Sequence, residues 1–245
     1  MDVTKSLAFD HADRKDIYDY IESHGIVRES DVRRALNFEP GALGAHLSVL
    51  RREGYIRKVD DKVQVAYEKD DAEVFETDDG EGFTIRTAQQ VDLEALVEAI
   101  REVAEEGTYI EAETVGEMID HEEVVLRHND ARSRMVFVAT VDDELAGWCH
   151  LDLPETAKLR HTAVLTVGLR PKFRGRGMGS RLLERGVEWA RERGFEKLYN
   201  SVPATNEDAI AFLESHGWGT EAVRADHYKI GDDYVDEMMM AVRIR

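Results

Sequence analysis

The chain has 245 residues, 42% of them hydrophobic, with 51 acidic against 32 basic side chains and a formal net charge of −19 at pH 7. That length allows one large or two modest domains with a sizeable core, and the charge excludes a general polyanion binder. One cysteine excludes a disulfide framework and a cysteine-based zinc site. The longest apolar runs, such as 135–141, fall far short of the ~20 residues that span a bilayer. No apolar segment follows Asp2, so a soluble cytoplasmic protein without a membrane partner is expected. Arginine outnumbers lysine 23 to 9 and the acids are spread along the whole chain. A dense hydrated carboxylate surface of this kind keeps proteins soluble in concentrated salt, and a halophilic source is expected.

In chain order, Ile17, Tyr20 and Ile21 share a helical face that Gly25 ends. Val32, Ala35 and Leu36 mark a second short helix. Leu43, Leu47 and Leu50 follow at i, i+4, i+7, with Pro40 before them and Gly54 after. Strands are expected at 55–59 and 62–67 around the turn Asp60-Asp61. The order helix, helix, helix, hairpin, and the stretch RALNFEPGALGAHLSVLRREGYIRK (34–58), resemble a winged helix-turn-helix. The next fifteen residues, 68–82, contain eight acids and little periodicity, which reads as a solvated connector. The expected division is therefore 1–69 as a winged helix-turn-helix-like domain, 70–81 as acidic linker and 82–245 as a second domain.

That second domain alternates. A strand is expected at 82–86, helices at 92–104 and 114–127, and a hairpin of 135–141 with 144–153 around Asp142-Asp143. A strand at 161–169, a helix at 177–193, a strand at 197–202 and a helix at 206–215 follow, then strands near 218–230 and 235–242. Early strands that pair and later helices between strands predict a mixed α/β layer fold.

The most informative stretch is Val167-Gly-Leu-Arg-Pro-Lys-Phe-Arg-Gly-Arg-Gly-Met-Gly-Ser180, which passes from a strand directly into a helix. Four basic residues and no acid lie between Arg170 and Arg176. Gly175, Gly177 and Gly179 let the backbone turn tightly and approach a ligand. The free N–H groups and positive dipole end of the following helix face that loop, an arrangement suited to a pyrophosphate. No Gly-Lys-Ser/Thr is present, so the loop is not a P-loop. The GxGxG spacing late in the domain is not a dinucleotide fingerprint.

Arg174-Gly-Arg-Gly177-Met-Gly179 resembles the acyl-CoA-binding motif of the GNAT superfamily of N-acyltransferases, Arg/Gln-x-x-Gly-x-Gly/Ala. The resemblance extends to 82–88 as an opening strand, to Asn206 with the helix ending near His216-Gly-Trp218, and to Tyr234-Val-Asp-Glu-Met238 as a closing strand. It implies a mixed-sheet GNAT fold preceded by the small winged-helix domain, with acetyl-CoA as co-substrate. The pantetheine arm would lie along Val167, Gly168 and Leu169, with a bulge or close ligand approach at Gly168. The Leu169 N–H would stabilise the thioester oxyanion. The pyrophosphate would sit on Arg174, Gly175, Arg176, Gly177, Met178, Gly179 and Ser180, and Asn206 would reach the cofactor arm while also capping its helix.

The sequence departs from the family at Leu213, where many members carry a tyrosine that protonates the leaving thiolate. Tyr228 is a substitute general acid, with packing as its alternative role. No carboxylate lies in 161–169 to serve as base. Tyr109, Glu111 and Glu113 are expected to hold the acceptor amine, against the alternative of a solvated acidic surface. HEEVV at His121 is not the HExxH motif, so no metal is expected. Cys149 reads as buried packing. In the N-terminal domain, His46, Arg51, Arg52, Arg57 and Lys58 offer a local basic face for DNA, while dimerisation or partner docking is the competing use. The expected function is acetyl transfer from acetyl-CoA to a primary amine by direct attack. A transcription regulator that senses acyl-CoA is the alternative.

Overall fold

A computed structural model describes residues 1–39, 41–68, 72–107 and 109–245. Pro40, Asp70 and Asp71, which figured in the expected boundaries, lie outside the described residues. The N-terminal region contains α1 (Ala12–His24), β1 (Ile26–Arg28), α2 (Glu29–Ala35), α3 (Ala42–Arg52), β2 (Ile56–Val59) and β3 (Lys62–Val65). Ile17, Tyr18 and Ile21 of α1 meet Leu43, Leu47 and Leu50 of α3 in one small core. The three strands form an antiparallel sheet in the order β1-β3-β2. β1 escaped the sequence reading because three residues are too few to show alternation.

The remainder builds one sheet. β4 (Glu73–Glu76), β5 (Gly82–Thr87), α4 (Leu93–Ala104), α5 (Ile110–Glu122), β6 (Arg127–His128), β7 (Ser133–Val141) and β8 (Glu144–Leu153) come first. Then follow β9 (Thr162–Leu169), α6 (Met178–Glu192), β10 (Lys197–Pro203), α7 (Glu207–Ser215), β11 (Gly219–Ile230) and β12 (Asp233–Arg243). The sheet order is β11-β12-β10-β9-β8-β7-β5-β4, with β6 beside β7. Only β9 and β10 run parallel, and the other neighbours are antiparallel. The expected mixed α/β fold is therefore present. Asp142 and Asp143, both at positive φ, make the tight β7–β8 turn.

β7 and β8 are buried along nearly their whole length, which requires cover on both faces. α6 packs on the face of Cys149 and Leu151, where Gly186 lets the helix come close: a Cβ there would press on the Cys149 sulfur. α4 and α5 cover β8, β9 and β10. Cys149 is completely buried, and burial pushes its thiol far up from its ordinary pKa, in keeping with a packing role.

Two segments differ from expectation. Residues 73–76, read as linker, pair with β5 as an edge strand. Phe75 stacks on Phe83 at 5.4 Å, and Arg185 pairs with Glu73 at 3.2 Å. The open edge of β5, the Phe75–Phe83 stack and the Arg185 cation stabilise a segment whose composition alone favours solvent. Helix α5 begins at Ile110 rather than near 114, so Glu111 and Glu113 occupy its first turn, where the helix dipole favours carboxylates.

The N-terminal region is joined to the sheet through polar groups removed from water. Glu22 of α1, 2% exposed, accepts from Arg127 Nη1 at 2.8 Å, from the His128 N–H at 3.0 Å and from Asn129 Nδ2 at 3.1 Å. The Tyr18 hydroxyl donates to the His128 carbonyl at 2.8 Å, and that of Tyr67 to the Leu126 carbonyl at 3.1 Å.

Candidate active site

β10 pairs with β9 over only three residues, Lys197–Tyr199 against Thr162–Val164. β9 continues to Leu169 and β10 to Pro203, so the two strands part beyond that point. Asn200 stands in the fork: buried, it donates from Nδ2 to the Leu165 carbonyl at 2.7 Å. The parting opens a cleft of about 430 Å³ lined from β9, α5, the 174–180 loop, β10 and α7. That volume lies within the ~300–1,000 Å³ of small-molecule sites.

Beyond Val164 the edge of β9 that faces the cleft has no strand paired with it among the described residues. The Arg170 N–H donates to the Ala146 carbonyl on β8 at 2.9 Å. Antiparallel alternation then turns the N–H and C=O groups of Leu165, Val167 and Leu169 the other way. The Leu165 carbonyl meeting Asn200 and the Leu169 carbonyl accepting from Arg174 Nε at 3.0 Å fit that alternation. The pairing register runs unbroken through Gly168, so the bulge expected there is not formed. Glycine is needed for another reason: a Cβ would overlap the Trp148 ring on the neighbouring strand.

At the mouth of the cleft, Gly175 and Gly177 adopt φ of 71° and 84°, angles that disfavour any side chain. The first helical bond of α6 runs from the Arg181 N–H to the Gly177 carbonyl at 3.4 Å. The N–H groups of Met178, Gly179 and Ser180 therefore precede the helical ladder and form an anion-seeking terminus. Among the expected cofactor residues, Val167, Gly168, Leu169, Arg174, Gly175, Gly177, Gly179, Ser180 and Asn206 all line the cleft. Met178 is fully buried in the core and Arg176 turns aside. The Arg176 guanidinium grips Asp79 at 2.7–3.1 Å and Glu81 at 2.8 Å. Arg174 pairs with Glu106 at 2.8 Å and lies 5.2 Å from the Tyr109 ring centre. In this arrangement the arginine charges are met by acids, and the backbone terminus is the more available anion site. Asn206 caps α7 by accepting from the Ala209 N–H at 3.1 Å, so the cap role and the cleft position coincide.

The candidate acid–base groups lie on the α5 side of the cleft. Tyr109 and Glu111 line it, whereas Glu113 does not; two residues of helix, about 200° of rotation, put the two carboxylates on different sides. Leu213, where the family resemblance led a tyrosine to be expected, lines the wall. Tyr228 of β11 stands behind Glu111, outside the lining. Its hydroxyl is shielded from water, and burial with the Glu111 and Glu237 carboxylates raises its pKa. Burial, then Glu237, also raises the Glu111 pKa, while Tyr228, His227 and Arg224 oppose that rise.

Glu237 is the functional candidate that sequence reading missed. It is 3% exposed on β12 and faces Pro203 in the β10 register. A register shift between Arg224 and Tyr228 bulges β11, with Asp226 at φ 53° and its N–H bonded to the Asp236 carboxylate at 2.9 Å. The bulge brings Arg224 (3.0 Å) and His227 (3.4 Å) to the Glu237 carboxylate. An acid in an otherwise alternating strand was the available signal; its depth was not.

Comparison with known proteins agrees with this geometry. Residues 95–218 match the Acetyltransferase (GNAT) family. The [ribosomal protein bS18]-alanine N-acetyltransferase of Salmonella typhimurium is 30% identical over 105 residues, 43% of this chain and 68% of that protein. Streptothricin acetyltransferase of Streptomyces lavendulae is 30% identical over 140 residues, 57% of this chain and 72% of that protein. Matching relatives are spanned over 58–72% of their own length. The yncA structure from Salmonella typhimurium with its cofactor acetyl-CoA superposes with a TM-score of 0.53 at 19% identity, covering 66% of this chain and 94% of that one. With its family motif seated on a parted β9–β10 pair, the chain belongs to the GNAT family of acetyltransferases.

Proposed function

We propose that the protein transfers an acetyl group from acetyl-CoA to a primary amine by direct attack within a ternary complex. The observation that carries this reading is the parted strand pair, which leaves the β9 edge beyond Val164 with no paired strand among the described residues, beside the free N–H groups of α6. This donor set fits an elongated thioester with a pyrophosphate at one end. Bound acetyl-CoA supplies an activated acyl carbonyl. The Val167 and Leu169 backbone aligns the arm as an added strand would, and the Leu169 N–H donates to the carbonyl oxygen as charge develops. Gly175–Ser180 backbone groups hold the pyrophosphate, and Asn206 steadies the arm.

An alkyl ammonium has a pKa of about 10.4, so the site must remove a proton before attack. Glu111, in the cleft wall, receives it. Its raised pKa suits a base that must both ionise and accept. Tyr228 lies outside the cleft lining and holds its proton more tightly than usual, so its hydroxyl supports Glu111, and the departing thiolate takes up the second proton that the attacking nitrogen loses as the amide forms. A thiolate whose conjugate acid has a pKa of about 8.5 needs modest help, which accommodates Leu213. Cys149 is sealed in the core and forms no covalent intermediate.

The relatives act on the alanine of ribosomal protein bS18 and on streptothricin, which supports an amine acceptor in either a protein or a small molecule. For the N-terminal region, the exposed residues of α3 are Ala42, Gly44, Ala45, Ser48 and Arg52, and the one basic side chain among them, Arg52, lies 3.7 Å from Glu53. Arg57 lines the junction with the sheet instead of extending a basic face. Both features support bracing or docking over DNA reading. The test is CoA release from acetyl-CoA at high salt, with alanine-leading peptides, lysine and small amines as acceptors, beside calorimetric binding of acetyl-CoA. Turnover with one acceptor class is expected. Tight binding with no turnover on any amine would favour the sensor reading, and no binding would overturn both.

A further inference from the structure

We propose that His11, Asp13 and His46 form a binding site for one divalent transition-metal ion of the zinc or cobalt type, clamping α1 to α3 in the N-terminal region. No linear motif announces it. His11 and Asp13 flank the start of α1, and His46 arrives from the middle of α3 because the leucine face of that helix packs on α1. The donor atoms of the three side chains all lie within 4.8 Å of one another. Asp13 Oδ2 is the hub, 3.7 Å from His11 Nδ1 and 3.5 Å from His46 Nε2. Ligand bonds of about 2.0–2.2 Å in tetrahedral geometry put neighbouring donors about 3.3–3.6 Å apart. The two separations at the hub already lie within tenths of an ångström of those of a bound ion, and the third, between the histidines, closes with a side-chain shift of about an ångström at most.

The chemistry of the set points the same way. Two imidazoles and a carboxylate are borderline-soft donors that favour zinc, cobalt, nickel or copper over magnesium or calcium, which prefer all-oxygen shells. The carboxylate reduces the charge of the ion, and the half-exposed His11 and Asp13 side chains (50% and 44%) leave room for water at the fourth position. His46 is mostly covered (17%) and is held by Phe38, whose ring centre lies 5.7 Å from its own. That packing fixes one ligand before the ion arrives. His11 Nδ1 now accepts from the Asp13 N–H at 3.1 Å, the cap of α1. Binding through Nδ1 exchanges this cap for a metal bond. The exchange is favourable because a single cap hydrogen bond is weak beside a set of metal–ligand bonds.

The experiment uses untagged full-length protein freed of metal by chelator and titrated with Zn²⁺ and with Co²⁺. Calorimetry should give one equivalent, and cobalt should develop the visible ligand-field absorption of a nitrogen–oxygen site. Asp13→Asn and His46→Gln should each weaken binding at least tenfold and abolish the metal-induced rise in Tm, while the metal-free Tm stays close to that of the unaltered chain. Asp13 is half-exposed and stands outside the buried core cluster, so its substitution keeps the test valid if His46→Gln disturbs packing. Failure of the unaltered protein to take up either ion overturns the proposal, as does undiminished binding by Asp13→Asn. Acetyl-CoA binding and turnover do not enter this readout, so the two assignments stand or fall separately.

Discussion

Glu111 and Glu237 carry the most specific expectation at the scale of single residues. Burial first and Glu237 second hold the Glu111 carboxyl above its ordinary range. If Glu111 accepts the amine proton, activity requires its ionised form, so the acidic limb of the kcat/KM–pH profile should lie above the usual carboxylate position. Glu237→Gln removes a neighbouring negative charge and should move that limb downwards. Glu111→Gln should cost ~10²–10⁴-fold in turnover, the typical contribution of a positioned acid or base. A profile that stays in place in Glu237→Gln would exclude this coupling. Gly168 gives a packing counterpart. Adding a methyl group there drives it into the Trp148 ring, and Gly168→Ala should destabilise by about 1–3 kcal/mol in denaturant unfolding. That residue looked like a ligand-approach glycine in the sequence. Its nearer constraint is a cross-strand tryptophan, which no local pattern reveals.

At the scale of elements, the loop leading into α6 was legible and the turn facing it was not. Three glycines in a basic stretch before an amphipathic helix mark an anion site by local rules alone. Across from it, the turn after β4 places Asp78 beside Gly177, so that a Cβ on Gly177 would lie 3.2 Å from the Asp78 carboxylate. Gly177→Asp therefore adds left-handed strain, a second carboxylate and a steric block together. Acetyl-CoA affinity should fall well over tenfold in calorimetry, and unchanged affinity would remove the pyrophosphate assignment. β4 itself shows why the connector was misread: eight acids in fifteen residues predict solvation, but pairing depends on whether a neighbouring strand has an open edge. β5 has one, and Arg176 and Arg185 meet the charge.

For the whole molecule, the junction at Glu22 decides how independent the N-terminal region is. Chain composition expected two pieces that separate at the connector. Glu22 instead sits at 2% exposure among three donors from the sheet domain. Glu22→Ala leaves the His128 N–H without its acceptor and the Arg127 guanidinium with Glu122 as its remaining partner. Loss of one partner from such a buried set costs about 3–5 kcal/mol. The unfolding midpoint of the complete chain should drop accordingly, and a drop confined within experimental scatter would restore the picture of loosely tethered modules. The charge of −19 acts at this scale as well. Self-repulsion spread over the surface is screened by salt, so Tm should climb as KCl is raised, and a flat response would count against a salt-adapted surface.

Periodicity, turn chemistry and one glycine motif were enough, in the sequence itself, to mark the helices, most strands, the mixed α/β class and the glycine loop at the start of α6, because each depends on residues within one or two turns of each other. The tertiary structure alone decided where β9 parts from β10, that Glu237 lies under Glu111, and that Arg176 turns away to Asp79. It also decided that His46 meets His11 and Asp13. Those relations join residues 33 to 126 positions apart, and they are set by where strands part and helices cross rather than by any local preference of the chain.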